Sequence, residues 1–299
     1  MRQHERTRGG LDGVECIARW RSAALRATIT FALAFVSTFG ALAQQQTRVR
    51  HFAANANFDE NGAFLPAKAG FDLADVSGRS GLDQLPAGTM GLVWIGRCDG
   101  VSATFESTVN ALIDHPRVFG FYLMDDPDPT GTWRPLCRAS DLRAESDWIH
   151  GRRPDVVTFI ALMNLGSSDS PKFSPEYAPQ KSHVDLFSIA PYPCRTRRTT
   201  CDNDMIDRFV AASRNAGFPT DRLVPTYQTF GGGDWHSDGG AYRLPDAAEL
   251  QAMLDRWDTL APLPAFDFAY AWGQQRNDSS LAASTELQAV LLRHNRREQ

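Results

Sequence analysis

The chain has 299 residues, of which 42% are hydrophobic, 22% charged and 10% aromatic, a balance that excludes disordered, collagenous and coiled-coil chains. Its 31 Lys and Arg against 35 Asp and Glu give a net charge of −4. No basic stripe follows an aromatic ladder, which argues against nucleic acid as a partner.

Arg19, Arg21 and Arg26 lead into an uncharged run from Ala27 to Ala43 that ends in Ala41-Leu42-Ala43. A basic start, an apolar centre and an A-x-A end are the parts of a secretory signal. The run has 17 residues, many of them Ala, Thr and Ser, short of the roughly 20 mostly apolar residues that span a bilayer. Residues 1–43 are therefore expected to be a signal peptide cleaved after Ala43, with 44–299 as one mature domain, secreted or periplasmic, without a membrane span and acting as a monomer. The leader holds six Arg against Glu5, Asp12 and Glu15, so its removal leaves 25 positive and 32 negative side chains, a net of −7.

Cys16 goes with the leader and Cys98, Cys137, Cys194 and Cys201 remain, an even number in an oxidising compartment, so two disulfides are expected. Cys194 and Cys201 close the short loop CRTRRTTC and pair most simply with each other, which leaves Cys98 with Cys137. There is no C-x-x-C and no nearby His pair at zinc spacing, and no phosphate loop, H-E-x-x-H or haem motif, so neither a metal nor a cofactor is expected.

Along the mature chain, runs rich in β-branched and aromatic residues recur at 48–56, 71–77, 91–97, 119–126, 156–163, 184–192, 223–230 and 266–272. Several are apolar on successive residues, the pattern of strands covered on both faces. Amphipathic helices are predicted over Phe105–Asp114, Ala139–His150, Met205–Ala216, Asp246–Leu260 and Leu281–Arg293, with Gly217 as a C-cap and Pro116 and Pro154 closing the helices before strands four and five. The segment from Ala53 to Gly70 has no convincing helix. Alternating β and α units give an α/β fold with a parallel sheet, either doubly wound or a closed (β/α)8 TIM-type barrel. Eight units in about 250 residues favour the barrel, and no G-x-G-x-x-G follows strand one.

In such a barrel the carboxyl ends of the strands carry the site. Those ends hold Asp75, Arg97 with Asp99, Asp125 with Asp126, Asn164, Tyr192, Gln228 and Trp272. The sharpest signal is FGFYLMDDPDP, two adjacent carboxylates leaving an apolar strand ahead of two prolines. Desolvation and a like charge beside it raise a carboxyl pKa, which keeps an acid protonated near neutral pH for donation to a leaving oxygen. Asp126 is assigned as that proton donor and Asp125 as its partner. Neighbouring strand residues point to opposite faces, so both enter the barrel only if the strand splays at its end. An EF-hand reading of Asp126 to Gly131 fails because its twelfth position is Cys137 and prolines occupy two early ones.

The motif resembles the glycoside hydrolase superfamily of (β/α)8 barrels, in which strand four ends in the acid/base carboxylate, often followed by Pro, as in Asp125-Asp126-Pro127 here. The resemblance covers roughly residues 48–299 and implies a carbohydrate substrate, with Tyr192 in APYP and Trp272 in YAWG as sugar-contacting aromatics. It departs in two places: the usual strand-four residue of the large retaining group is Glu, and the usual strand-seven nucleophile is Glu, where this chain has Gln228, an amide that neither attacks nor acts as a base. A retaining pair about 5 Å apart therefore lacks its nucleophile. Three possibilities remain: an inverting enzyme using Asp234, Asp99 or Asp75 about 6.5 to 9.5 Å from the acid, a substrate-assisted enzyme in which the sugar's 2-acetamido oxygen attacks, or a barrel that binds glycan without cleaving it.

Trp235 and His236 lie on the glycine-rich stretch GGGDWHSDGG, which with Asp234 and Asn164 is expected to help close over a ligand. Trp94, inside strand three, is read as core, and His51 as structural. No G-x-S-x-G elbow supports a triad through His236.

Overall fold

The computed structural model describes residues 49–238 and 240–296. The expected leader and its cleavage site lie outside them. The sheet is parallel, with β1 Arg50–Ala53, β2 Leu73–Val76, β3 Met90–Trp94, β4 Val118–Asp125, β5 Val157–Ala161, β6 Leu186–Ser188, β7 as two segments Leu223–Val224 and Thr226–Gln228, and β8 Phe266–Tyr270. Neighbours in sequence are neighbours in the sheet, and β8 pairs with β1 in register from Arg50 opposite Phe266 to Ala53 opposite Ala269. The ring closes through β7. Its first segment pairs with β6, its second with β8, and Pro225 stands between them, a residue with no N–H to give a ladder. The expected (β/α)8 barrel is the observed fold.

The continuous apolarity of the strands has its cause in two separate cores. One face packs inside the barrel, where Phe52, Phe159, Phe266 and Phe268 are at most 3% exposed and the Phe266 ring meets those of Phe52, Phe119 and Phe159 at 6.0, 5.9 and 5.1 Å. The other packs against the outer helices, with Phe121, Ile160, Phe187, Leu254 and Trp257 among its buried residues. The interior is thus filled and not a pore, and Phe268 and Tyr122 form the floor beneath the mouth.

The helices α2 Ala103–Asn110, α3 Ala139–His150, α5 Asp204–Asn215, α6 Ala247–Leu260 and α7 Thr285–Arg296 match five sequence predictions, α3 at both ends and the others with shifted ends. Between them in chain order come short α1 Arg79–Asp83 and α4 Pro179–Ser182. Ser102 caps α2, accepting the Phe105 N–H at 3.2 Å, and α6 starts in a capping box of Asp246 and Glu249. The unit after β1 holds only a 3₁₀ turn, Leu65–Ala69. Leu281, predicted as the start of the last helix, opens a 3₁₀ turn ahead of α7. Both disulfides are formed, Cys98 with Cys137 and Cys194 with Cys201, with Cα separations of 5.3 and 4.2 Å. No helix among the described residues is long and apolar enough to cross a membrane.

Candidate active site

A cleft of about 900 Å³ opens at the carboxyl ends of β4 to β8 and is lined by Asp125, Asp126, Asn164, Tyr192, Trp235 and Tyr270 among others. A second lobe of about 580 Å³, at the ends of β1 to β4, is lined by Asn55, Asp75, Trp94 and Tyr122. Asp125, Phe268, Tyr270 and Gln275 belong to both, so the carboxylate pair stands where the two lobes meet.

Adjacent aspartates reach one cleft because the backbone turns between them. Asp125 ends β4, where pairing with β5 skips a residue between Tyr122 and Met124, and Asp126 takes a left-handed φ of 49°. Such a conformation costs a non-glycine residue about 1 kcal/mol or more, least for Asn and Asp. It is fixed by the Asp126 N–H donating to the Ala161 carbonyl at 2.9 Å and by the prolines on either side of Asp128. The Asp128 carboxylate accepts from Thr130 N and Oγ1, Trp133 N and Arg134 N at 2.7 to 3.1 Å. Its oxygens organise this loop, which explains the EF-hand-like spacing without an ion, and the fold they impose carries Arg134 back over the pair.

Burial pushes the Asp126 carboxyl up to about 7, with the Asp125 charge adding to it and Arg134 opposing it. Arg134 Nη2 meets Asp126 Oδ2 at 3.4 Å, with both side chains nearly half exposed to the cleft, so its pull is screened. Asp125 is also raised by burial, against the Tyr122 hydroxyl, which donates to its Oδ1 at 3.0 Å, and against Arg134. Two carboxyls whose pKa values are both raised thus share one cleft. A raised pKa alone does not make a site. Glu145 on α3 is pushed up to about 8 by burial, but it is fully enclosed and accepts the N–H groups of Asp99 and Gly100 at 3.2 and 3.0 Å.

Tyr192 stacks on Tyr270 with centroids 5.8 Å apart and planes inclined by 29°, and Phe230, Trp235 and Tyr242 complete an aromatic wall. The Trp235 indole N–H donates to Asp278 at 3.0 Å. Asn164 lines the cleft, but its amide is engaged in shaping the loop after β5, donating to the Ser167 carbonyl at 3.2 Å and accepting from Gly166 and Lys172 N–H. That loop is joined to the glycine-rich one by Ser168, whose N–H and hydroxyl both donate to Asp238 at 2.8 Å.

Four residues expected to contact substrate, Trp272, Gln228, Asp234 and His236, lie outside the cleft, and one expected in the core, Trp94, lines it. Trp272 is 1% exposed and packs against Phe71 and Lys68 outside the cleft, because β8 ends at Tyr270 and the chain then bonds sideways to Ala54 and Ala282. Trp94, read as core, is instead 37% exposed in the second lobe, edge-on to Tyr122 at 4.7 Å. Gln228 is fully buried and clamps main chain: its Oε1 accepts Cys194 N–H, and its Nε2 donates to the carbonyls of Cys194, Phe230 and Arg243. Asp234 and His236 are exposed and lie off the cleft, His236 meeting the Asp234 carbonyl at 3.1 Å. Of the three candidate inverting bases, Asp99 pairs with Arg97 at the surface at 3.5 Å, Asp234 is outside, and only Asp75 lines the second lobe, accepting the Asn55 N–H at 3.0 Å.

The sequence reasoning missed Tyr122, Arg134, Arg195, Tyr270 and Arg276. Tyr270 was legible as the last residue of the apolar run before Ala271-Trp272. The arginines were not, since their placement depends on loop folding.

No family model matches this chain, and no curated protein matches it. Among solved structures it is similar to the chitinase RmChi1 from Rhizomucor miehei, at 13% identity over 83% of this chain and 100% of that one, with a TM-score of 0.50. It is also similar to the GH18 chitinase ChiB from the chitin utilization locus of Flavobacterium johnsoniae, at 10% identity over 83% and 93% of the two chains, with a TM-score of 0.52. At these identities the likeness establishes the barrel fold.

Proposed function

We propose that the protein is an exported glycoside hydrolase that cleaves a glycan lying across both lobes, with Asp126 as general acid and Asp125 as its assistant. The observation that carries this reading is the placing of two adjacent carboxylates, Asp125 and Asp126, at the junction of two aromatic-lined lobes, the second with its carboxyl pushed up to about 7. A proton held there is available to a glycosidic oxygen, and the rings beside it suit the apolar faces of sugars. The two structurally similar chitinases support a carbohydrate substrate.

With Gln228 locked into main-chain bonds and no strand-seven carboxylate, the sugar itself supplies the nucleophile. Its 2-acetamido carbonyl oxygen attacks the anomeric carbon while the bond to the leaving oxygen breaks, and Asp126 gives that oxygen its proton. Asp125 accepts the amide N–H and stabilises the charge on the resulting oxazolinium ring. Water then opens the ring at the anomeric carbon, losing its proton to the Asp126 carboxylate, so configuration is retained.

Mature protein beginning at residue 44 is tested with aryl 2-acetamido-2-deoxyglycosides and the matching 2-hydroxy glycosides. Turnover confined to the acetamido series, with a retained anomer by proton NMR, is the expected result. An inverted anomer transfers the base role to another carboxylate, with Asp75 the one at hand; saturable binding with no turnover on any glycoside removes the enzyme reading. Amino-terminal sequencing of the exported protein should begin at Gln44.

A further inference from the structure

The larger lobe sets three arginines, Arg134, Arg195 and Arg276, against three aspartates, Asp125, Asp126 and Asp238, and the two signs are engaged unequally: Asp238 accepts from Ser168 N–H and hydroxyl. Arg134 is paired with Asp126. Neither of the other two meets a carboxylate within ion-pair distance among the described residues.

Arg195 is 6% exposed, and its direct hydrogen-bond partners are neutral. Nε donates to the Tyr192 carbonyl at 3.0 Å, Nη1 to Ser237 Oγ at 2.6 Å and to the Gly240 carbonyl at 3.4 Å, and the group lies over the Tyr242 ring at 3.7 Å. None of these bonds uses Nη2, and a guanidinium has five N–H donors in a fork suited to an oxyanion. The Asp238 carboxylate is reached through the Ser237 hydroxyl, and the Nη2 edge of the guanidinium is left for an oxyanion in the lobe.

The position is held firmly. Arg195 follows Cys194, which is tied by its disulfide to Cys201 and by Gln228 at both backbone groups, and Arg195 itself bridges to Tyr242. Arg276 is exposed at the rim and lies over the Trp235 ring at 4.4 Å. Its carbonyl accepts the Asp234 N–H at 2.9 Å, an approach that Gly233 allows: φ is +58° there, and a Cβ would stand 2.1 Å from that carbonyl oxygen. Both cations line the larger lobe from different loops, one over the Tyr242 ring and one over the Trp235 ring.

We propose that the larger lobe is an anionic subsite, taking an oxyanion borne on a sugar ring, a uronate carboxylate or a sulfate ester, between Arg195 and Arg276 and beside Tyr192 and Trp235. It rests on the glycan reading above and narrows the substrate class to acidic glycans that contain a 2-acetamido sugar.

Calorimetric titration of the mature protein and of its Asp126→Asn variant compares three tetrasaccharides: neutral chitotetraose, 6-O-sulfated chitotetraose and a hyaluronan fragment with alternating glucuronate. At low salt an acidic ligand should bind about 10- to 100-fold more tightly than chitotetraose, with the hyaluronan arm assigning a carboxylate and the sulfated arm a sulfate. Raising the salt should shrink that ratio, and Arg195→Gln or Arg276→Gln should cut it to about threefold or less. Arg276 is exposed, so its variant tests the subsite even if Arg195→Gln does not fold. Equal affinities, a ratio that survives Arg276→Gln, or no binding of any of the three overturns the proposal. Hydrolysis of aryl 2-acetamido glycosides without charge preference would sink only the subsite, and charge-selective binding without hydrolysis only the enzyme.

Discussion

At the carboxyl end of the barrel Asp126 stands beside Asp125 and meets one half-exposed arginine at 3.4 Å. At the amino end Asp267 is enclosed by His51 Nδ1, His294 Nε2 and the Tyr227 hydroxyl at 2.9, 3.1 and 3.2 Å from one carboxylate oxygen. Burial pushes both acids up. For Asp267 it is outweighed by the His51 charge and the hydrogen bonds of both histidines, which bring it down to about 2; Asp126 has a second carboxylate where Asp267 has imidazoles, and ends at about 7. The same residue type is pushed in opposite directions because its partners differ: imidazoles at one end, a second carboxylate at the other.

The difference can be broken most severely by substitution. Asp126→Asn should lower turnover about 10²- to 10⁴-fold, the usual worth of a general acid, while leaving the protein folded by circular dichroism; equal rates in the two proteins would remove Asp126 from the mechanism. Asp267→Ala strands two buried histidines between the sheet and α7 and should cost about 3 to 5 kcal/mol of stability in urea unfolding. A loss below about 1 kcal/mol would show that the triad is not a working ion cluster.

Crosslinking separates the ends further, since both disulfides tie loops at the mouth whereas the amino end is held by packing and by Asp267 against α7. On chain-entropy grounds, replacing Cys98 and Cys137 by Ser should cost about 4 kcal/mol and replacing Cys194 and Cys201 about 2.5 kcal/mol. The second loss should also raise KM, because that bridge fixes Arg195. An unchanged KM would detach the loop from the cleft.

The smallest effect is on stability against pH. Asp126 and Glu145 are raised in the folded state, so the native protein binds more protons than the unfolded chain above their ordinary values of 3.8 and 4.5, and stability falls as pH rises towards about 7 to 8. His294 is raised too: burial works against its charge, but the hydrogen bond and charge of Asp267 outweigh it. Its contribution is therefore complete below 6.5 and lost as pH rises through its folded pKa. Asp267 acts in the other direction, adding stability above 3.8 that is lost as pH falls to about 2. Melting temperature should peak near pH 4 to 5, and Asp126→Asn should flatten the alkaline side. A peak near pH 8 would contradict the assignments.

The barrel was legible because its cause is local and repeated: apolar runs on successive residues separated by capped amphipathic helices. The carboxylate pair was legible because Asp125 and Asp126 leave an apolar strand together. What hid was whatever depends on where a strand stops. Trp272 and Trp94 exchange their expected roles because β8 ends two residues before the first, while β3 carries the second out to the mouth. Gln228 read as a failed nucleophile, whereas its amide satisfies main chain that no sequence pattern reveals. His51 and His294, 243 positions apart in the chain, meet at Asp267 only through closure of the ring.

The direct test of the central claim is a ¹³C NMR titration of the aspartate side-chain carboxyl carbons from pH 3 to 9, with Asp126→Asn to assign the signal. The account predicts a carboxyl resonance with its midpoint near 7 that is absent from the variant. A midpoint near 4 for Asp126 would contradict it.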